Sequence, residues 1–252
     1  MRGLRVSGTR AATLAAVLVL ALVLIGYLVD SAAQSASTPA GASSSPSLSP
    51  TSPLPQAGRA AALLATLPVK GRAPRTGYDR VGDFGPAWRD VDRNGCDTRD
   101  DILARDLAQT VRSGACKVTS GTLHSAYSGR TVAFTRGVQT SAQVQIDHMV
   151  PLMDAWQTGA QRLSAAERLA LANDPLNLQA VEGDLNEQKS DSDAASWLPP
   201  RRAYWCPYVA RQISVKHSYS LWVTPAEHDR MAAILQTCPG QPAYSSTLHP
   251  RP

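Results

Sequence analysis

The spacing of apolar positions changes several times along the chain, and each spacing predicts a different element. Ala and Leu dominate from Arg59 to Leu67, a short helix that Pro68 stops. Ile102, Leu103, Leu107 and Val111 recur at helical intervals behind a cap at Asp97 or Thr98, which predicts a helix to about Arg112 with Gly114 just past its end. From Cys116 to Ile146 the pattern turns strand-like, with turns at Ser120-Gly121 and Ser128-Gly129 and a strand over Thr131 to Phe134. Ala142, Val144 and Ile146 then alternate with Gln143, Gln145 and Asp147, as a half-buried strand does, which puts Asp147 on the polar face and His148 in the following turn.

Ser164 with Glu167 forms a capping-box pattern ahead of an apolar run, so a helix fills the interval before Asn177. A short strand over Asn177 to Val181 and a helical turn from Asp184 to Asp191 follow. The last part reads as a helix hairpin, Trp205 to Tyr219 and then Thr224 to about Cys238, the second helix opening with Pro225 at its first position. Strands and helices in this order predict an α+β domain.

Composition sets its limits. Arg2, Arg5 and Arg10 precede an uncharged, mostly apolar run from Ala11 to Val29, so residues 1–30 read as a signal peptide or an N-terminal membrane anchor. Either one places the remainder outside the cytoplasm. Residues 31–58 are mostly Ser, Ala, Pro, Thr and Gly with no charge, a linker unable to bury a core. The folded domain is expected over 59–240, with a flexible tail over 241–252. Its net charge is small, 22 basic against 19 acidic residues beyond position 30, so a nucleic-acid partner is permitted and not required. A basic cluster at Lys70, Arg72, Arg75 and Arg80 is the exception, and reads first as a solvated loop.

The four cysteines suit an exported protein with two disulfides. No Cys-x-x-Cys pair is present, which argues against a zinc ribbon. Of three connectivities, Cys206–Cys238 follows from the antiparallel helix hairpin. Cys96–Cys116 requires both flanking segments to fold back along the helix between them.

Chemistry concentrates at Asp147-His148, Asn177 and Asn186. An imidazole can activate water, while a carboxylate and a carboxamide oxygen can hold a hard cation. Taken singly, His148 reads as a turn histidine and Asn186 as a helix cap. Lys189 reads as a phosphate contact or a solvated lysine. Trp88, Trp156, Trp197, Trp205 and Trp222 read as packing residues, and His124, His217 and His228 have no partnered spacing. Asp90, Asp92, Asn94 and Asp101 match part of a calcium loop, although Asp stands where Glu is usual and no helix precedes it; a tight Asn-Gly turn ahead of an Asp-rich helix start fits the same residues.

Strand, Asp-His turn, strand with Asn and a helix with a second Asn, in the context Ile146-Asp147-His148-Met149-Val150-Pro151-Leu152 and Asn173-Asp174-Pro175-Leu176-Asn177-Leu178, resemble the ββα-metal motif of HNH endonucleases. Asn186, Lys189 and Asp191 close the motif, and Pro68–Pro74 and Asp92–Arg99 carry the likeness further. Over roughly residues 60–225 the chain looks most like exported bacterial HNH proteins related to the C-terminal domain of GmrSD-type restriction enzymes. The resemblance implies His148 as general base and Asp147 and Asn186 as ligands of a divalent cation, Mg²⁺ or Mn²⁺ ahead of Ca²⁺. Asn177 would orient the loop around His148, and Arg99 would clamp the scissile phosphate. Many such sites have histidine where Asn186 stands, which counts against tight zinc or nickel binding. The expected activity is hydrolysis of DNA or RNA with little sequence preference, through backbone phosphates and without an organic cofactor. A calcium-stabilised extracellular binding module without chemistry is the competing class. Oligomeric state is left open.

Overall fold

A computed structural model describes residues 56–248. The run Ala11–Val29, nearly all of the 31–58 linker and residues 249–252 lie outside the described residues. The described chain forms a mixed α+β fold with three small antiparallel sheets. At its centre stand β5 (Val144–His148) and β6 (Leu178–Glu182), paired antiparallel with His148 opposite Leu178, and helix α6 (Gly183–Lys189) follows β6 directly.

Alternation along these strands decides what each face meets. Val144, Ile146, Leu178 and Ala180 join a core with Ile102 and Leu103 from α3 (Thr98–Asp106) and with Val118, Leu123 and Phe134 from the sheet β2 (Leu107–Ser113), β3 (Lys117–His124) and β4 (Thr131–Thr135). Val181 and Met149 join a second core with Tyr127 and with the helices α7 (Trp205–Ser218) and α8 (Pro225–Gln236). A third core, around Trp156 and Leu171, lies between α4 (Leu152–Gln157), α5 (Ala165–Asn173) and the end of α7. The pair is therefore covered on both faces. Asp147, expected on a half-exposed polar face, is only 4% exposed.

The structure corrects four expectations. The helix after Asp97 ends at Asp106, not Arg112. Asp106 accepts a hydrogen bond from the Ala180 amide of β6 (2.8 Å), and residues 107–113 pair with β3, leaving Val111 exposed. Non-local strand pairing overrides the helical spacing. That change makes the first disulfide possible. Helix α3 spans about 14 Å, and β2 returns far enough to bring Cys116 beside Cys96, with Cα atoms 5.3 Å apart. The second bridge, Cys206–Cys238, joins the start of α7 to the end of α8 as the hairpin implied.

At the N-terminal end, β1 (Gln56–Arg59) forms inside the expected linker, so helix α1 is confined to Ala60–Leu64. Its partner is β7 (Pro242–Tyr244), formed inside the expected flexible tail. Ser246, beyond β7, is buried and hydrogen-bonded to Asp174. A further short helix, α2 (Arg80–Phe84), is capped by Asp79, whose side chain accepts from the Val81 amide. Among the described residues no helix is long and apolar enough to cross a membrane.

Candidate active site

The loop from Asn173 to Leu178 carries no charge that faces solvent, yet many groups hold it. Arg105 donates to the carbonyls of Pro175 and Leu178, and Arg211 donates to those of Pro175, Leu176 and Leu178. The buried Tyr219 hydroxyl donates to Asp174 (2.7 Å). Two guanidinium groups on one loop leave few backbone acceptors unpaired, which fixes its path.

From that frame Asn177 reaches the turn after β5. Its Oδ1 accepts from the Val150 amide (2.9 Å), its Nδ2 donates to Leu171 O (3.1 Å), and its own carbonyl accepts from Met149 N–H (2.7 Å). Asn177 is fully buried. It holds the turn after β5 and does not itself line the cavity.

His148 is buried, with Nε2 2.9 Å from Ala172 O. A carbonyl only accepts, so the ring proton sits on Nε2 and Nδ1 keeps its lone pair. Burial, then the Arg80 cation, pushes the imidazole down to about 3, with Lys189 adding to the shift and the Ala172 bond opposing it. At neutral pH the ring is uncharged and one nitrogen is available as a base.

Asp147 has a different environment from the one expected. Lys189 Nζ lies 2.9 Å from Oδ1, and the Tyr127 hydroxyl donates to Oδ2 at 2.5 Å. Lys189 also donates to His148 O (2.8 Å) and has no exposed surface. Its assignment as a phosphate contact is therefore corrected: α6 turns it inward, where it compensates a buried carboxylate. Tyr127, unremarked in the sequence, is wholly buried, and burial followed by the Asp147 charge raises its phenol well above the usual range.

Asn186 comes into place because α6 starts close against the turn before β5. A Cβ on Gly183 would lie 2.1 Å from Ala142 O, so only glycine fits there. Asn186 Nδ2 donates to Gln145 Oε1 (2.7 Å), directing the carboxamide oxygen away from that contact. Asp147, His148 and Asn186 line one cavity of about 280 Å³, together with Tyr78, Arg80 and Asp191. Three candidates spread over forty positions thus line one space. Arg80 is the member of the basic cluster that lines this cavity, whereas Arg72 pairs with Asp154 and Asp193, and Arg75 with Asp191.

One further assignment changes. Arg99 donates to Val144 O (3.1 Å), at the end of β5 opposite His148, about 13 Å along the strand. It braces the strand and does not line the cavity. Asp90 and Asp92 accept from the backbone of their own loop, Asn94 Oδ1 accepts from Cys96 N–H, and Asp101 lies near enough to feel both acids. Gly95 (φ 89°) makes the tight turn that both expectations for this loop share. Among the described residues no three His, Cys, Asp or Glu side chains form a metal-holding group.

The cavity's donors still suit a hard cation in kind: a carboxylate and a carboxamide oxygen beside a polar, partly open space. Lys189 already shares the Asp147 charge, so a cation here would be held weakly and keep most of its water.

No solved structure matches the chain. An uncharacterized secreted protein of Arthroderma benhamiae is 38% identical over 192 residues, covering 75% of this chain and 90% of the relative. Its secretion agrees with the two disulfides here. Residues 97–234, which run from the cap of α3 into α8 and contain the whole Asp147–His148–Asn186 constellation, match the model for the C-terminal domain of GmrSD restriction endonucleases, and the chain belongs to that family.

Proposed function

We propose that the protein is an exported, metal-dependent HNH endonuclease that hydrolyses phosphodiester bonds in DNA or RNA with little sequence preference. The observation that carries this is the single cavity lined by His148, Asp147, Asn186 and Arg80, with His148 Nε2 engaged by Ala172 O. The order β5, β6, α6 supports a ββα-metal core, and membership of a restriction-endonuclease family supports nuclease chemistry. The apolar run Ala11–Val29 supports export, by cleavage or by anchoring.

In this mechanism His148 takes a proton from water through Nδ1, while the Ala172 carbonyl holds the ring in the required tautomer. Arg80 draws the phosphate to the cavity mouth and balances charge on its oxygens. Asp147 and Asn186 would hold Mg²⁺ or Mn²⁺, with Ca²⁺ a further candidate, and the ion would steady the leaving oxygen. Lys189 and Tyr127 each hold one oxygen of Asp147 and so fix its orientation. Contacts made through phosphates should weaken steeply as salt rises.

Nicking of supercoiled plasmid with Mg²⁺ or Mn²⁺ tests the assignment. His148→Ala should reduce the rate at least a hundredfold, and activity of the parent should persist well below pH 6.5 because the imidazole stays neutral there. Absence of cleavage of DNA and RNA under every divalent ion would refute the enzyme and leave the binding module.

A further inference from the structure

Trp222, in the loop between α7 and α8, carries two cations on its ring. Lys70 Nζ lies 5.5 Å and the Arg162 guanidinium carbon 5.0 Å from the ring centre. Both residues are exposed, whereas the tryptophan is only 9% exposed. Their stems therefore cover an apolar ring and leave the charged heads in water. The fold sets both positions. Lys70 N–H donates to Val223 O (3.0 Å), Trp222 Nε1 donates to Gly71 O (3.0 Å), and Trp222 N–H donates to Thr158 O (2.8 Å). Gly159 (φ 134°) carries the turn leading to Arg162 against the indole, and a Cβ there would lie 3.2 Å from the ring.

These cations differ from their basic neighbours in having no acid to neutralise them. Arg72 and Arg75 pair with Asp154, Asp193 and Asp191. Among the described residues Lys70 and Arg162 form no ion pair. Two like charges drawn to one ring repel each other, so the arrangement favours a polyanion as its partner. The patch is also continuous with the catalytic cavity. From Lys70 the chain runs through Ala73, whose N–H donates to Gln157 O (2.8 Å), and Pro74, whose carbonyl accepts from Gln161 (2.9 Å). It then reaches Arg75, paired with Asp191 on the cavity wall. Five residues span at most about 18 Å, a length that one strand of B-form DNA covers in about five nucleotides.

We propose that Lys70 and Arg162 form a second phosphate-binding site, which holds the backbone of a nucleic-acid substrate a few nucleotides from the scissile bond. This rests on the nuclease reading for its substrate class. Arg80 holds the phosphate at the cavity, and Lys70 and Arg162 each take a phosphate further along the same strand. Trp222 supports the two side chains and touches no base. The contact reads charge alone, in keeping with low sequence preference.

The test is fluorescence anisotropy of labelled oligothymidylates, twelve and two nucleotides long, over a range of salt concentrations with divalent ions chelated. Lys70→Gln combined with Arg162→Gln should weaken the dodecamer about tenfold at about 0.1 M salt and lower the slope of log affinity against log salt by about 1.4. The dinucleotide is too short to span from cavity to patch and should bind parent and variant alike. Lys70→Arg combined with Arg162→Lys should keep both the affinity and the slope of the parent. An unchanged slope, an equal weakening of both lengths, or a parent that binds the dodecamer no tighter than the dinucleotide overturns the site. The readout needs no cleavage, so it fails or succeeds independently of the His148→Ala nicking assay.

Discussion

Two lysines of this domain have no exposed surface, and they differ in what they support. Lys216 joins Asp154 of α4 and Glu227 of α8 at 3.0 and 2.8 Å and donates to Trp222 O. With Arg72, Asp193 and two helix ends, it ties the N-terminal segment to the C-terminal hairpin. Lys189 has one carboxylate, Asp147, which shares its second oxygen with Tyr127. In the first cluster two cations meet three carboxylates, and the surplus is relieved when Glu227 keeps its proton. In the second no neighbouring acid can take up a change. The same residue type, equally buried, is buffered in one place and bound to a single partner in the other.

The largest effect should follow from breaking the unbuffered pair. Lys189→Met leaves the buried Asp147 carboxyl with the Tyr127 phenol as its remaining side-chain partner, a cost of about 4 kcal/mol in urea unfolding, together with loss of cleavage per folded molecule. Full activity in a stable Lys189→Met protein would show that Asp147 needs no cation beside it. Lys216→Met should cost less, about 3 kcal/mol, because Arg72 still faces Asp154 and Glu227 can protonate. Folded molecules of that variant should cleave normally. Equal losses of activity in the two variants would erase the distinction drawn here.

The smallest effect is one of slope. Burial raises Glu227 from 4.5 to about 7, against the opposing pull of Lys216. Between those values the folded state binds more protons at this site than the unfolded chain, so its contribution to stability falls as pH rises from 4.5 to 7. Glu227→Gln should flatten the stability profile over that window. An unchanged profile would mean that Glu227 is ionised throughout and that the Lys216 cluster is no better buffered than Lys189.

The contrast also shows what residue order conveys. Periodicity located β5, the capped helix α5 and the hairpin α7–α8, since each follows from contacts a few residues apart. The convergence of Asp147, His148 and Asn186 was legible through their spacing in a known motif. What lay beyond reach came from distant chain. Leu107–Ser113 is a strand because β3 lies beside it, and its own spacing is helical. Lys189 looks like a surface lysine until α6 packs on β5 and turns it toward Asp147. Tyr127 has no local mark at all, because its partner Asp147 is twenty residues away across a different sheet. Arg80 was visible as one of four basic residues, but which of the four would face the cavity depended on the acids that claimed Arg72 and Arg75.

The acceptor that sets the His148 proton is a main-chain oxygen at position 172. Exchanging the side chain there leaves that oxygen in place, so point changes at Ala172 do not by themselves reverse the tautomer. Lengthening or shortening the chain between residues 152 and 172 would. The insertion between the two strands therefore acts as a spacer whose length, more than its composition, decides which nitrogen of the imidazole is free to work.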